Sequence, residues 1–121
     1  MMNPVFQVAL GGALGATARH GVNVGAARLL GPGLPWPTLA VNVAGSFLMG
    51  LLVAILSRDS AWAPFLLTGM LGGFTTFSAF SLDVVVLWQK GQGGMAALYV
   101  AASVLLSIAA LGAGLALGHS A

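Results

Sequence analysis

The sequence predicts an all-α membrane protein with four transmembrane helices, the third of which is broken near its middle. Of the 121 residues, 59% are hydrophobic and only 5% are charged, and the mean hydropathy is +1.01. A soluble domain carries about 25% charged residues, so four Lys/Arg and two Asp/Glu cannot cover a soluble surface. Four long apolar stretches predict the four helices, and a run of helix-weakening residues inside the third stretch predicts its break.

Each apolar stretch is long enough to cross a bilayer, which requires about 20 residues in a helix. The stretches cover residues 4–23, 38–57, 62–88 and 94–118, so the whole chain, 1–121, is predicted to be one four-helix transmembrane domain. Gly- and Pro-rich residues 31–37 are predicted to form a non-helical loop, and residues 57–60 and 89–93 form short polar connections. Asp59 or Ser60 can cap the third helix. Trp36, Trp62 and Trp88 fall at span ends, as interfacial anchors do.

The first span also resembles a signal peptide, because residues 4–15 are mostly apolar and Ala16-Thr17-Ala18 is similar to a cleavage site. A secretory signal needs a basic region before its apolar core, and no Lys or Arg precedes Arg19. We therefore expect this segment to be retained as a span. The chain has no cysteine, which excludes disulfides and thiolate metal sites. A net charge of +2 from scattered residues does not indicate nucleic-acid binding.

The few basic residues leave the orientation of the chain open. With four spans both termini lie on one side, together with Arg58, whereas Arg28, Lys90 and nearby Arg19 lie on the other. One alternative is a single orientation with the termini outside. The other is dual topology, in which copies insert both ways and pair antiparallel. Eighteen glycines, many at the four-residue spacing that lets helix backbones approach closely, favour a homo-oligomer.

The most informative segment is Gly72-Gly73-Phe74-Thr75-Thr76-Phe77-Ser78-Ala79-Phe80-Ser81. Paired glycines and paired threonines weaken a helix, and broken backbone at membrane depth persists only where it is buried or lines a polar cavity. The freed carbonyls can bind a hard cation such as Na⁺. The three phenylalanines recur every third residue, which is typical of ordinary packing but also presents positive ring edges to an anion.

Polar residues also form stripes on two spans. Thr38, Asn42 and Ser46 lie four residues apart on the second span, and Ser103 and Ser107 do so on the fourth. A serine or threonine in a membrane helix often bonds only its own i−4 carbonyl. An asparagine requires a partner elsewhere, so Asn42 either joins two helices or lines a substrate path, and we favour the path.

No Asp, Glu, Lys or His lies at the middle of a predicted span. A proton-coupled carrier needs a titratable group in the membrane, and the small multidrug transporters, which are of similar size, rely on a glutamate in their first span. This absence argues against the alternative function of a proton-coupled exporter of small solutes or drugs. A second alternative is a non-transporting subunit of a membrane complex.

At these motifs the chain resembles the Fluc fluoride channels of bacteria, the CrcB family. The likeness covers all four spans and is strongest in 72–81, in Asn42-Val43-Ala44-Gly45-Ser46-Phe47 and in 12–19. The resemblance implies a passive, selective fluoride channel in the bacterial cytoplasmic (inner) membrane that reduces fluoride toxicity. It also implies an antiparallel, dual-topology homodimer with two pores and a structural Na⁺ at its centre. No enzymatic activity is implied.

The resemblance also assigns residues to these features. The fluoride pore would be lined by Phe77, Phe80, Asn42, Thr38, Ser78, Ser103 and Ser107. Arg19 would lie near the aqueous vestibule, and the main-chain carbonyls of Gly72 and Thr75 from both subunits would hold Na⁺. Ala79 departs from the family, in which many members have a hydroxyl there, and Asp83 replaces a more usual glutamate. A heterodimer with a second, oppositely oriented homologue remains an alternative.

Overall fold

The structure, a computed structural model, describes residues 3–31, 33–57 and 59–120, and all regular structure in these ranges is helical. Helix α1 is Pro4–Leu30 and α2 is Trp36–Ile55. A π-helix, Pro64–Leu71, continues into one α-helical turn, Gly72–Phe74, and we call the two together α3. Helix α4 is Ser78–Gln89, and α5 is Gly93–Ser120.

The predicted break in the third span is confirmed. The backbone leaves the helix at Thr75, whose φ and ψ are −82° and 159°, and α4 begins at Ser78. The sequence did not indicate that the half before the break is a π-helix, a rare form that is frequently found at functional sites. Segment 75–77, which we call the break, therefore separates two half-helices within one membrane-spanning stretch.

Within the described ranges, three helical stretches are long and apolar enough to cross a membrane: Trp36–Ile55, Pro64–Gln89 and Gly93–Ser120. The multi-pass membrane character of the chain is thereby confirmed. Helix α1 is long enough, at 27 residues, but it contains Arg19, His20 and Arg28 and is less apolar. It also continues past the predicted end at residue 23, and it ends only where Gly31 adopts a φ of 73°.

The connections differ from the prediction in two respects. The prediction that residues 31–37 form a non-helical loop is wrong at its end, because α2 already begins at Trp36. Pro37 is tolerated there because a residue in the first helical turn needs no N–H donor. The prediction that Asp59 or Ser60 caps the third helix is wrong, because Ala63 is its N-cap and no side chain among the described residues caps it. The Ser60 hydroxyl instead accepts a hydrogen bond from the Trp62 N–H at 3.2 Å in the turn before the helix. Arg58 lies outside the described residues.

Glycines allow two close helix pairs to form. A Cβ on Gly15 would overlap the Met70 carbonyl of α3. A Cβ on Gly73 would lie only 2.7 Å from the Gly12 carbonyl oxygen of α1. Gly50 and Gly114 bring α2 and α5 together in the same way. In contrast, Gly21 and Gly25, which also have the four-residue spacing, face open space. The fold thus consists of α1 with α3 and α2 with α5, with the break lying against α2.

Candidate functional site

An open groove of about 390 Å³ lies between α2, α5 and the break. Its polar part is formed by side chains that the sequence singled out, and its far end is apolar. The polar and aromatic residues in its lining are Asn42, Ser46, Thr75, Thr76, Phe77, Phe80, Ser103 and Ser107, and the apolar end includes Met49, Ile108 and Leu111. Five of the seven predicted pore residues therefore border one groove: Asn42, Phe77, Phe80, Ser103 and Ser107.

Asn42 of α2 holds the break through a pair of hydrogen bonds to one residue. The Thr76 N–H donates to Asn42 Oδ1 at 2.8 Å, and Asn42 Nδ2 donates to the Thr76 carbonyl at 2.9 Å. Because the N–H must meet an oxygen and the carbonyl must meet an amine, this pair dictates the orientation of the amide. Asn42 therefore both joins α2 to the break and lines the groove, the two roles that the sequence left as alternatives. One of its two amide hydrogens remains for a ligand.

Thr76 also connects the break to α4. Its hydroxyl accepts a hydrogen bond from the Ala79 N–H at 3.2 Å, and it lies 3.4 Å from the Ser78 hydroxyl. A threonine that accepts from a first-turn N–H stabilises the start of a helix. The N-terminal end of α4, which carries a partial positive charge, therefore begins beside the groove, directly after Phe77.

On the other side of the break, Arg19 of α1 donates from Nε to the Gly73 carbonyl at 3.2 Å. This carbonyl belongs to the last turn of α3, where the helix dipole favours a cation. The half-buried guanidinium therefore compensates a carbonyl that has lost its helical partner. Arg19 therefore contacts the last turn of α3, just before the break, whereas its predicted position near an aqueous vestibule depends on the assembly and remains a prediction.

In the described part of the chain, the hydrogen bonds around the break leave the carbonyls of Gly72, Phe74 and Thr75 uncommitted. The carbonyls of Leu71, Gly73 and Thr76 accept bonds from Thr75, Arg19 and Asn42. Those of Gly72 and Thr75 are not among these acceptors, and Gly72 is exposed. Such main-chain oxygens are suitable ligands for Na⁺, so the two residues fit the predicted ion in chemistry.

The hydroxyls of the chain fall into two groups. Several bond the carbonyl four residues before them, namely those of Thr17, Thr75, Ser81 and Ser120. Among the described residues, the groove serines Ser46, Ser103 and Ser107 make no such bond. Ser103 is only 6% exposed and its Oγ has no partner with good hydrogen-bond geometry, although the Tyr99 hydroxyl lies near it. A buried hydroxyl in this position is costly unless a ligand completes its hydrogen bonding. The groove therefore contains three serine hydroxyls that do not bond their own helices, together with the Thr75 hydroxyl, which does.

Three aromatic rings run along one side of the groove and beyond it. The Phe77 and Phe80 centroids are 5.4 Å apart at 50°, and those of Phe80 and Tyr99 are 5.3 Å apart at 45°. Phe77 is 77% exposed, whereas Phe80 is buried. The Tyr99 hydroxyl donates to Asp83 Oδ2 at 3.0 Å. This bond engages an acidic group of the third span.

Two predicted pore residues lie off the groove. Thr38 is buried one turn before Asn42, near the Tyr99 hydroxyl, and Ser78 is exposed in the first turn of α4. Sequence reasoning missed two residues, Thr76 and Tyr99. Tyr99 could have been found, because it precedes Ser103 and Ser107 at the same four-residue spacing. Thr76 can be identified as a site residue only from its hydrogen bonds with Asn42 in the structure.

Comparison with known proteins agrees with the resemblance noted from the motifs. Residues 6–115 match the family described as CrcB-like protein, Camphor Resistance (CrcB). A protein of Cereibacter sphaeroides named fluoride-specific ion channel FluC is 62% identical over 117 residues, covering 96% of this chain and 94% of the relative. Relatives with the same name from Paracoccus denitrificans and Agrobacterium fabrum are 58% identical over 121 residues and 54% identical over 117 residues. They cover 98% and 93% of this chain, and 97% and 94% of their own lengths.

These matches extend over the break, the groove serines and Asn42, so they include every residue on which the geometry of the site depends. The chain is a member of the CrcB family.

Proposed function

We propose that the protein is a passive, selective fluoride channel that lets fluoride leave the cell and so reduces its toxicity. The observation that carries the proposal is the group of serine hydroxyls that lines the groove beside two phenylalanine rings, one of which, Ser103 Oγ, is buried without a hydrogen-bond partner. It is supported by relatives named as fluoride-specific ion channels. A member of a family of ion channels is not an enzyme, and the proposed function needs no covalent chemistry.

Fluoride is small and strongly hydrated, so removing its water is costly. A selective path has to replace that water with closely spaced donors and still release the ion. The hydroxyls of Ser103 and Ser107 and the remaining amide hydrogen of Asn42 are the donors, and the ring edges of Phe77 and Phe80 add positive potential. The N-terminal end of α4 favours an anion at the same place. The amide hydrogen, the ring edges and the helix end also disfavour a cation, whereas a hydroxyl can donate or accept.

The proposed channel is an antiparallel, dual-topology homodimer with two pores. A groove of about 390 Å³ is far larger than a water-sized ion, which takes up about 30 Å³, so one chain alone leaves the path wide open. A second copy against this open side narrows it. A two-fold axis presents the same surface of both subunits to each other, which makes two equivalent pores.

Main-chain oxygens of the break support a structural Na⁺ at the dimer centre. Gly72 and Thr75 would contribute one carbonyl each from both subunits. The ion would hold the two breaks together and add positive charge between the pores. We place the dimer in the bacterial cytoplasmic membrane, where export of fluoride protects the cell.

Efflux from liposomes that contain the purified protein tests the function. Vesicles are loaded with fluoride or chloride, and valinomycin sets the potential. Fast fluoride efflux, little chloride efflux and no effect of collapsing the proton gradient are expected. A dependence on the proton gradient would instead favour a coupled exporter. Absence of fluoride efflux from well-reconstituted protein would refute the proposal and favour a non-transporting subunit.

A further inference from the structure

The break touches α2 at a second point, three residues after Asn42. Gly45 is buried, and a Cβ placed on it would overlap the Thr75 methyl group, with Phe74 Cδ2 next at 3.4 Å. Positions i and i+3 share a helix face. Asn42 and Gly45 therefore face the break side by side, one through hydrogen bonds and the other through a methyl contact.

The Thr75 methyl group cannot easily turn away from Gly45. The Thr75 hydroxyl donates to the Leu71 carbonyl at 2.9 Å, and rotation about χ1 would break this bond. A β-branched side chain is also stiff at χ1. The methyl group is therefore a fixed spacer, whose contact with Gly45 sets how closely the break approaches α2.

Because the next two residues border the groove, the distance between the break and α2 also determines the position of the groove wall. Thr76 is bound to Asn42 and caps α4 through Ala79, and Phe77 follows it directly. A shift of Thr75 away from α2 thus moves the Phe77 ring and the start of α4 relative to the serines of α5. A wider groove has longer donor contacts, which penalise a small, strongly hydrated anion most.

We propose that Gly45 is a positioning residue, and that the contact between its bare Cα and the Thr75 methyl group sets the width of the groove and hence its preference for the smaller anion. This inference rests on the proposed function, because it concerns the selectivity of the same groove.

The test compares the wild type, Gly45→Ala, Thr75→Ser and the double variant in liposomes. Thr75→Ser removes the methyl group but retains the hydroxyl and the main-chain carbonyl. Gly45→Ala is expected to lower fluoride efflux about tenfold, equivalent to about 1.4 kcal/mol, and to lower the fluoride-to-chloride ratio. The double variant should regain most of the lost efflux and of the ratio. Efflux of Gly45→Ala at the wild-type rate, or a double variant as slow and unselective as Gly45→Ala, would overturn the proposal.

Gly50→Ala is the matched control. Gly50 lies on the same helix and is equally close-packed, but its Cβ would meet the Leu111 carbonyl of α5. Its loss of stability should not be rescued by Thr75→Ser, and rescue of both glycine variants alike would contradict a local contact at the break. If Gly45→Ala does not fold, the double variant decides: recovery of folded protein supports the contact, and failure of both overturns it.

Thermal melting of the same proteins separates this inference from the proposed function. If the wild type conducts no fluoride, the proposed function fails. The contact between Gly45 and Thr75 still predicts a lower melting temperature for Gly45→Ala and its recovery in the double variant.

Discussion

Phe80→Ile tests the aromatic side of the groove. Phe80 is 8% exposed and packs between two rings, with centroid distances of 5.4 Å to Phe77 and 5.3 Å to Tyr99. Each aromatic pair contributes about 0.5–1.5 kcal/mol beyond buried area. The substitution should therefore destabilise the fold by about 1–3 kcal/mol from the two pairs together.

The effect on the ion is separate from the effect on stability. If a ring edge stabilises the anion about as much as another ring, its loss slows fluoride up to about tenfold. Isoleucine also leaves Phe77 without its neighbouring ring, so we expect fluoride efflux to fall by about this factor. The assay is fluoride efflux from liposomes, normalised to the amount of folded protein measured by size-exclusion chromatography.

Phe65→Ile is the control for this experiment. Phe65 pairs with one ring, Trp62, at 6.3 Å and 71°, and it does not line the groove. We expect roughly half the loss of stability, because one pair is removed instead of two, and efflux at the wild-type rate. Wild-type efflux from Phe80→Ile, or equal losses from both variants, would refute the role of the ring edge.

Three further predictions concern the polar groups. Ser103→Ala removes a buried hydroxyl without a partner, so it should raise stability by up to about 1 kcal/mol and yet slow efflux; a lower melting temperature would contradict the orphaned hydroxyl. Tyr99→Phe and Asp83→Ala each remove the hydrogen bond between these side chains and should show a coupling of about 1.5–3 kcal/mol in a double-mutant cycle of unfolding, whereas additivity would mean that the bond contributes nothing. Arg19→Met removes the donor to Gly73 and a positive charge, so efflux should fall and depend less on ionic strength; an unchanged salt dependence would exclude attraction of the anion by Arg19.

Much of the fold follows from composition and periodicity. The apolar stretches identified a multi-pass helical protein, because so few charges cannot solvate a surface. The glycines and threonines of 72–76 located the break, because they weaken a helix locally wherever it lies. The helix ends were less predictable. Pro37 indicates a loop as readily as a first helical turn, and the continuation of α1 to Leu30 has no distinct signal in the sequence.

The sequence predicted which residues form the candidate site better than it predicted the hydrogen bonds that they make. Four-residue spacing grouped Ser103 with Ser107 on α5 and Thr38 with Asn42 and Ser46 on α2; all of these line the groove except Thr38. The same local pattern cannot show which hydroxyls bond their own helix, because that depends on a rotamer that neighbouring helices select. Ser81 and Ser103 are both helical serines, but only Ser81 bonds its i−4 carbonyl.

By itself, the sequence determined that this chain lies in a membrane, that its third span is interrupted and that its polar residues form stripes. Those properties depend on composition and on helical periodicity, which are local. Only the tertiary structure decided that the Asn42 side chain hydrogen-bonds both the N–H and the carbonyl of Thr76, and that the Thr75 methyl group contacts Gly45. These contacts join residues about thirty positions apart, and they arise because close helix packing brings a bare Cα and a broken backbone to the same depth.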